Sequence, residues 1–222
     1  MKKTILFDLD GTLTESGEGI TKSVQYALEK LGRPENNLKK LQAFIGPPLL
    51  KQFMDYAGFD KETAQAAVEI YRERYAAVGI FENRLYPGIE KMLGTLKSKD
   101  NILAVSSSKP EYYVKQILEH FQIADCFDEI VGSTMGEKRT DKAEVIEETL
   151  RRLRMTEHRD KIVMVGDKEH DVIGARAEGI PCVAVSYGYG SVEELEKAKP
   201  AKIVGTVEEL TDVLTQWQPG SF

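Results

Sequence analysis

Two aspartates one residue apart, Asp8 and Asp10, directly follow the apolar run Ile5-Leu6-Phe7. Three hydroxyls, Ser106, Ser107 and Ser108, end a second apolar run at 102–105, and Gly166-Asp167 ends another at 162–165. Asp171 lies four residues beyond Asp167, and Lys142 falls between these two runs. These residue types suit one kind of chemistry. A phosphate ester is anionic, so a carboxylate can attack it only where that charge is neutralised locally. A magnesium-like ion held by carboxylates and phosphate oxygens supplies part of the neutralisation, and a lysine, a compact cation, supplies more. Hydroxyls and backbone N–H groups at a strand-to-helix turn complete a phosphate cradle. Covalent attack by a carboxylate then divides hydrolysis into two easier steps.

The elements that must position these residues follow from the apolar pattern. Thr4 to Asp8 reads as a short buried strand closed by Asp10-Gly11-Thr12. From Glu15 to about Val78 the spacing is helical, with Ile20, Val24, Leu28 and Leu31 in one stripe and Ala64, Val68, Tyr71, Tyr75 and Val78 in another. After Tyr86-Pro87-Gly88, strands and helices alternate. Helices are expected over 89–98, from Pro110 to about 121, and over 141–154, 171–178, 192–198 and 207–217. Strands are expected at 102–105, 129–131, 162–165, 182–185 and 203–204. Such alternation predicts an α/β fold, a doubly wound parallel-sheet (Rossmann-like) core with an inserted all-helical domain. The core is expected to take residues 1–14 and 82–222, the insertion 15–81, and 218–222 to trail as a loose tail. Ligands of open α/β sheets bind beyond the carboxyl ends of the strands, which is where the candidate residues fall.

Composition narrows the classes. The 36 acidic residues outnumber 30 basic ones, for a net charge of −6, and no dense basic block occurs, which argues against a nucleic-acid polymer as partner. Cys126 and Cys182 stand far apart beside apolar neighbours and read as small buried hydrophobes in a reducing compartment. The apolar run after Met1-Lys2-Lys3 stops at Asp8, too short for a signal peptide, and no run approaches the roughly 20 apolar residues of a membrane span. A cytoplasmic protein without membrane partners is expected; monomer and dimer stay equally open.

Asp8-Leu9-Asp10-Gly11-Thr12 resembles the first signature of the haloacid dehalogenase-like (HAD) hydrolase superfamily. Four fixed residues match by chance about once in 10⁵ positions. A Ser ending the next strand, Ser106 or Ser107, resembles the second signature, and the Ser-Lys-Pro that follows favours Ser107. Lys142 in Thr140-Asp141-Lys142-Ala143 resembles the third, and Gly166-Asp167 with Asp171 the fourth. The resemblance implies a phosphatase in which Asp8 is the nucleophile and Asp10 the general acid and base. It implies further that Ser107 and Lys142, with Ser106 and Ser108 adjacent, hold the phosphoryl group. Mg2+ would be held by Asp8, the Asp10 backbone carbonyl and Asp167, with Asp171 behind them or at an auxiliary position. Lys168 stands where family members often carry Ser or Thr, which puts one supporting hydrogen bond in doubt.

Asp10 favours phosphoryl over halide chemistry, since haloacid dehalogenases lack that second aspartate. Gly19-Ile20-Thr21-Lys22 lacks the histidine of β-phosphoglucomutase-like members, which makes a mutase a minor reading. The insertion resembles the helical cap of the phosphoglycolate phosphatase subgroup through Phe44-Ile45-Gly46-Pro47-Pro48-Leu49 and Tyr86-Pro87-Gly88. The implied substrate is a small phosphate ester, phosphoglycolate first and nucleoside 5′-monophosphates (a 5′-nucleotidase) nearly level. Glu15, Ser16, Lys22 and Lys51 are the candidates for substrate choice. Plainer readings exist for each residue. Paired aspartates often flank a turn, serines and aspartates open helices, and Lys142 has Lys138 and Arg139 as solvated neighbours. A silent binding protein on the same scaffold is the reading from another class. The joint presence of Asp8, Asp10, Lys142 and Asp167 weighs against these.

Overall fold

In a computed structural model, which describes residues 2–136 and 138–220, the chain opens with β1 (Thr4–Phe7) and a two-residue strand β2 (Thr14–Glu15). Helices α1 (Gly17–Lys30), α2 (Leu38–Leu41), α3 (Leu49–Ala57) and α4 (Lys61–Ala77) lead to β3 (Arg84–Leu85). Then come α5 (Ile89–Ser98), β4 (Ile102–Pro110), α6 (Glu111–His120), β5 (Glu129–Ser133) and α7 (Lys142–Leu153). The chain closes through β6 (Ile162–Gly166), α8 (Glu169–Ala177), β7 (Cys182–Val185), α9 (Val192–Ala198), β8 (Lys202–Val204) and α10 (Val207–Gln216). Ser221 and Phe222 of the expected tail lie outside the described residues. Contacts group the chain into two units, one comprising the residues up to Thr14 and from Leu85 onward, the other Glu15–Arg84.

The first unit is built on a six-stranded sheet in the order β5-β4-β1-β6-β7-β8, with every pair parallel. A parallel sheet is covered on both faces, so its strands read as unbroken apolar runs. Ile5, Leu6 and Phe7 of β1 and Ile162 to Val165 of β6 are fully buried. Leu6 lies level with Ala104 and Met164, and that pleat packs on Ile146 and Leu150 of α7, Val172 and Ala175 of α8, and Leu195 of α9. Each fully buried side chain of this size contributes about 1.5–3 kcal/mol. The strand expected at 102–105 continues to Pro110 through a register shift between Ser106 and Pro110, because the chain stays paired to β5 past its last apolar residue. Cys182 is buried in the core, whereas Cys126 is only half-buried.

In the second unit, α1 packs on α4 and α4 on α3. Ile20, Val24 and Leu28 form the buried stripe of α1, and Ala64, Val68, Tyr71 and Tyr75 that of α4, the spacing of a face on a 3.6-residue period. Tyr71 and Tyr75 stack at 5.3 Å, and Phe44 meets Phe53 at 5.0 Å. Asp60 caps α4 by accepting from Thr63 N at 2.8 Å. This unit ends at Arg84 rather than at residue 81, because the chain returns through β3, which pairs with β2. These two-residue strands escaped the sequence reading, being too short to show alternation.

Candidate active site

The three central strands end at one edge of the sheet. Phe7 is level with Val105 of β4 and Val165 of β6, so Asp8 leaves the sheet beside Ser106 of β4 and beside Gly166, the last residue of β6, which Asp167 follows. The chain crosses in opposite directions on either side of β1, and such a reversal opens a crevice at the strand ends. Asp8 N is fixed by donating to Val165 O at 2.9 Å.

The turn after β1 is tight. Leu9 O accepts from the N–H groups of Thr12, Leu13 and Thr14 at 3.3, 2.9 and 3.0 Å, and Gly11 N donates to Thr14 O at 2.8 Å. Gly11 has φ +86°, a conformation in which a side chain is strained. Tyr187, 175 residues further along the chain, secures it by donating its hydroxyl to Thr12 O at 3.0 Å.

Lys142 is the first residue of α7, whose N-cap Asp141 accepts from Ala143 N at 2.9 Å. Its ammonium donates to Asp8 Oδ1 at 2.8 Å and to Ser106 O at 3.1 Å, and it pairs with Asp171 Oδ1 at 2.8 Å. Burial pulls its pKa down, but Asp171 and Asp8 outweigh that and hold it above its ordinary value. Asp171 also accepts from Lys168 N through Oδ2 at 3.1 Å, so both of its oxygens serve neighbouring residues. Asp167 Oδ2 accepts from Tyr189 N at 2.7 Å. The backbone of Lys168 supplies a supporting bond without a Ser or Thr side chain.

Asp10 Oδ2 accepts from Lys109 Nζ at 2.6 Å, with both side chains about nine-tenths buried. Lys109, within Ser108-Lys109-Pro110, carries no spacing signal of its own in the sequence, and only the fold brings it to Asp10. Ser106 Oγ lies 3.0 Å from Thr149 Oγ1 inside the core, so its carbonyl and not its hydroxyl meets Lys142. Ser107 Oγ accepts from Lys109 N at 3.4 Å, and Ser108 is half-buried.

Electrostatics shows what this cluster accommodates. Burial first, then Asp171 and Asp10, push the Asp8 carboxyl up to about 6 against the pull of Lys142. Burial, Asp171 and Asp8 push Asp167 well above the usual carboxylate range. Four carboxylates, Asp8, Asp10, Asp167 and Asp171, face the ammonium groups of Lys109 and Lys142, which leaves two negative charges in a low-dielectric place. Oxygens of Asp8, Asp167 and Asp171 lie within 4.8 Å of one another. An all-oxygen donor set with a deficit of two charges fits a hard divalent cation. Asp8 and Asp167 are the better ligands, because Asp171 is already engaged by Lys142 and Lys168 N.

The other candidates belong to the second unit. Glu15 pairs with Arg84 at 2.7 Å, Lys22 with Glu18 at 2.6 Å and Glu82 at 3.2 Å, and Lys51 with Asp55. Ser16 is buried, and its hydroxyl has no hydrogen-bond partner.

A family model described as haloacid dehalogenase-like hydrolase matches residues 5–185. A 5'-nucleotidase of Pseudomonas aeruginosa is 43% identical over 211 residues, which cover 95% of this chain and 94% of that protein. A phosphoglycolate phosphatase of Pseudomonas savastanoi is 31% identical over 219 residues, 95% of this chain and 79% of that one. A crystal structure of a predicted phosphatase from Clostridium acetobutylicum superposes with a TM-score of 0.94 at 46% identity, covering 98% of this chain and 100% of its own. Among the described residues, no helix is long and apolar enough to cross a membrane.

Proposed function

Since the chain belongs to the haloacid dehalogenase-like hydrolase family and is one of its phosphatases, we propose that it hydrolyses a small phosphate monoester through a phosphoaspartate at Asp8. The observation that carries this reading is the buried convergence of Asp8, Asp10 and Asp167 with Lys142 at one sheet edge. Asp8 attacks phosphorus with a carboxylate oxygen while the ester P–O bond breaks. Asp10 delivers a proton to the departing alkoxide, and then takes one from the water that attacks the phosphoaspartate. Inorganic phosphate leaves and Asp8 is restored. Lys142 and the Ser107 hydroxyl hold the phosphoryl oxygens. Asp8, the Asp10 carbonyl and Asp167 would hold Mg2+, which offsets negative charge on the phosphoryl group when bound.

The substrate we put first is a nucleoside 5′-monophosphate, because the relative named 5'-nucleotidase is similar over nearly the whole of both chains. This reverses the order drawn from sequence. Phosphoglycolate is second, on the more distant likeness to a phosphoglycolate phosphatase. Release of phosphate from AMP, 2-phosphoglycolate and p-nitrophenyl phosphate should be measured with magnesium, with chelator, and in Asp8→Asn. Turnover of at least one ester that stops with chelator and in Asp8→Asn supports the mechanism. Undiminished turnover in Asp8→Asn ends it. A preference for AMP over phosphoglycolate supports the substrate order, and the opposite preference reverses it.

A further inference from the structure

Lys109 does not belong to the residues that the four signatures bring together, yet it makes the closest ion pair to Asp10. Its ammonium meets Asp10 Oδ2 at 2.6 Å, and the two side chains are 8% and 10% exposed. The other carboxylate oxygen, Oδ1, is buried and has no hydrogen-bond partner. A buried polar atom left unsatisfied is costly and calls for an explanation such as a role in catalysis. One oxygen is thus tied and the other is left for a reacting group.

The main chain that carries Lys109 is itself braced. A Cβ on Gly132 of β5 would stand 2.4 Å from Lys109 O and 2.6 Å from Glu111 N, so the backbone of β5 lies directly against this turn. Arg139 donates to Gly132 O at 3.0 and 2.8 Å. Glu111, two residues after Lys109, pairs with Arg152 at 3.0 Å. The ammonium therefore projects from a backbone that has little freedom to shift.

We propose that Lys109 is a positioning residue which grips Asp10 through Oδ2 and reserves Oδ1 for proton exchange with the leaving group and the attacking water. This rests on the mechanism proposed above. It predicts a dependence on leaving group, because an alkoxide needs a proton as it departs whereas p-nitrophenolate does not. Lys109→Met should lower kcat/KM for AMP about 10- to 100-fold, as a misplaced catalytic group does. Because kcat/KM reports transfer to Asp8 and not the later attack of water, kcat/KM for p-nitrophenyl phosphate should fall less than about 3-fold. In an Asp10→Asn background, Lys109→Met should cost nothing further.

Equal losses of kcat/KM on the two esters, or a wild-type kcat/KM for AMP, overturn the proposal. So does a large rise in KM for both esters at constant kcat, which would place the ammonium on the phosphoryl group instead. Should Lys109→Met fail to fold, Gly132→Ala displaces the same turn and must show the same leaving-group dependence. A urea-unfolding cycle over Lys109→Met and Asp10→Asn reads the contact without turnover, since removing one partner strands the other's buried charge. Non-additive midpoints support the pair and additive ones overturn it. An enzyme inert towards both esters would sink the mechanism above and leave that cycle to judge the pair.

Discussion

Gly11 and Asp167 meet where there is no room for a methyl group: a Cβ on Gly11 would stand 2.1 Å from Asp167 Oδ2. The first carboxylate-bearing turn is thereby seated against the carboxylate that ends β6. Gly11→Ala would add both this clash and a side chain at φ +86°. Phosphatase activity should fall at least 100-fold. The concentration of Mg2+ that gives half its maximal rise in Tm should increase about 10-fold, because Asp167 must turn away. A fluorescence melt across a magnesium series checks the second point independently of turnover.

Removing the divalent ion should make stability depend on pH in a definite sense. The Asp8 carboxyl, pushed up to about 6, binds its proton more tightly folded than unfolded. Its contribution is therefore fully present below pH ~4 and is lost as pH rises through ~6, on the order of 3 kcal/mol. Asp167 shifts in the same direction and adds to the trend. Magnesium should raise Tm by several degrees at pH 7.5 and by far less at pH 5. Differential scanning fluorimetry with chelator or magnesium at the two pH values tests this; an equal shift at both would contradict it.

Ser106 and Ser107 should separate cleanly. Ser106→Ala removes the 3.0 Å contact with Thr149 and should cost about 1 kcal/mol of stability with KM little changed. Ser107→Ala should leave urea stability within about 0.5 kcal/mol and raise KM or lower kcat about 10-fold or more. Urea titrations beside steady-state kinetics distinguish the two.

Glu148 of α7 carries a stability effect far from the chemistry. Hydrogen bonds from Arg151 and then Arg152 hold its carboxyl down at about 2. A depressed acid stabilises the fold above its unfolded value near 4.5, and that contribution is lost as pH falls towards 2. Arg151 is 67% exposed, so solvent screening limits the effect to about 1 kcal/mol. Glu148→Gln should therefore be less stable than wild type at pH 7, with the gap closing as pH falls from 4.5 towards 2 in urea titrations.

Much of the sheet edge was legible because Asp8, Ser106 and Asp167 each end an apolar run, and such runs mark buried parallel strands. The alternation of the pleat even bears on the serines. Ala104 faces Ile146 and Leu150 of α7, so Ser106, two residues on, shares that face and meets Thr149 of the same helix. Lys109 was not legible, because β4 continues past its apolar residues through a shift in register that no periodicity announces. Tyr187 and Tyr189 sit in a loop after β7, where nothing local indicates that one anchors Thr12 O and the other Asp167. The ion pairs of Lys22 and Lys51 are likewise products of side-chain geometry, which position in the sequence does not reveal.

The helical insertion leaves at β2 and comes back at β3, and these strands are hydrogen-bonded neighbours. Paired strands run about 4.8 Å apart, so the chain crosses out and in through a single narrow doorway. A tight hairpin could bridge that gap without redirecting either flank. The junction is a natural splice point, at which helical modules of different length or lining could be exchanged while the parallel sheet keeps its covalent course.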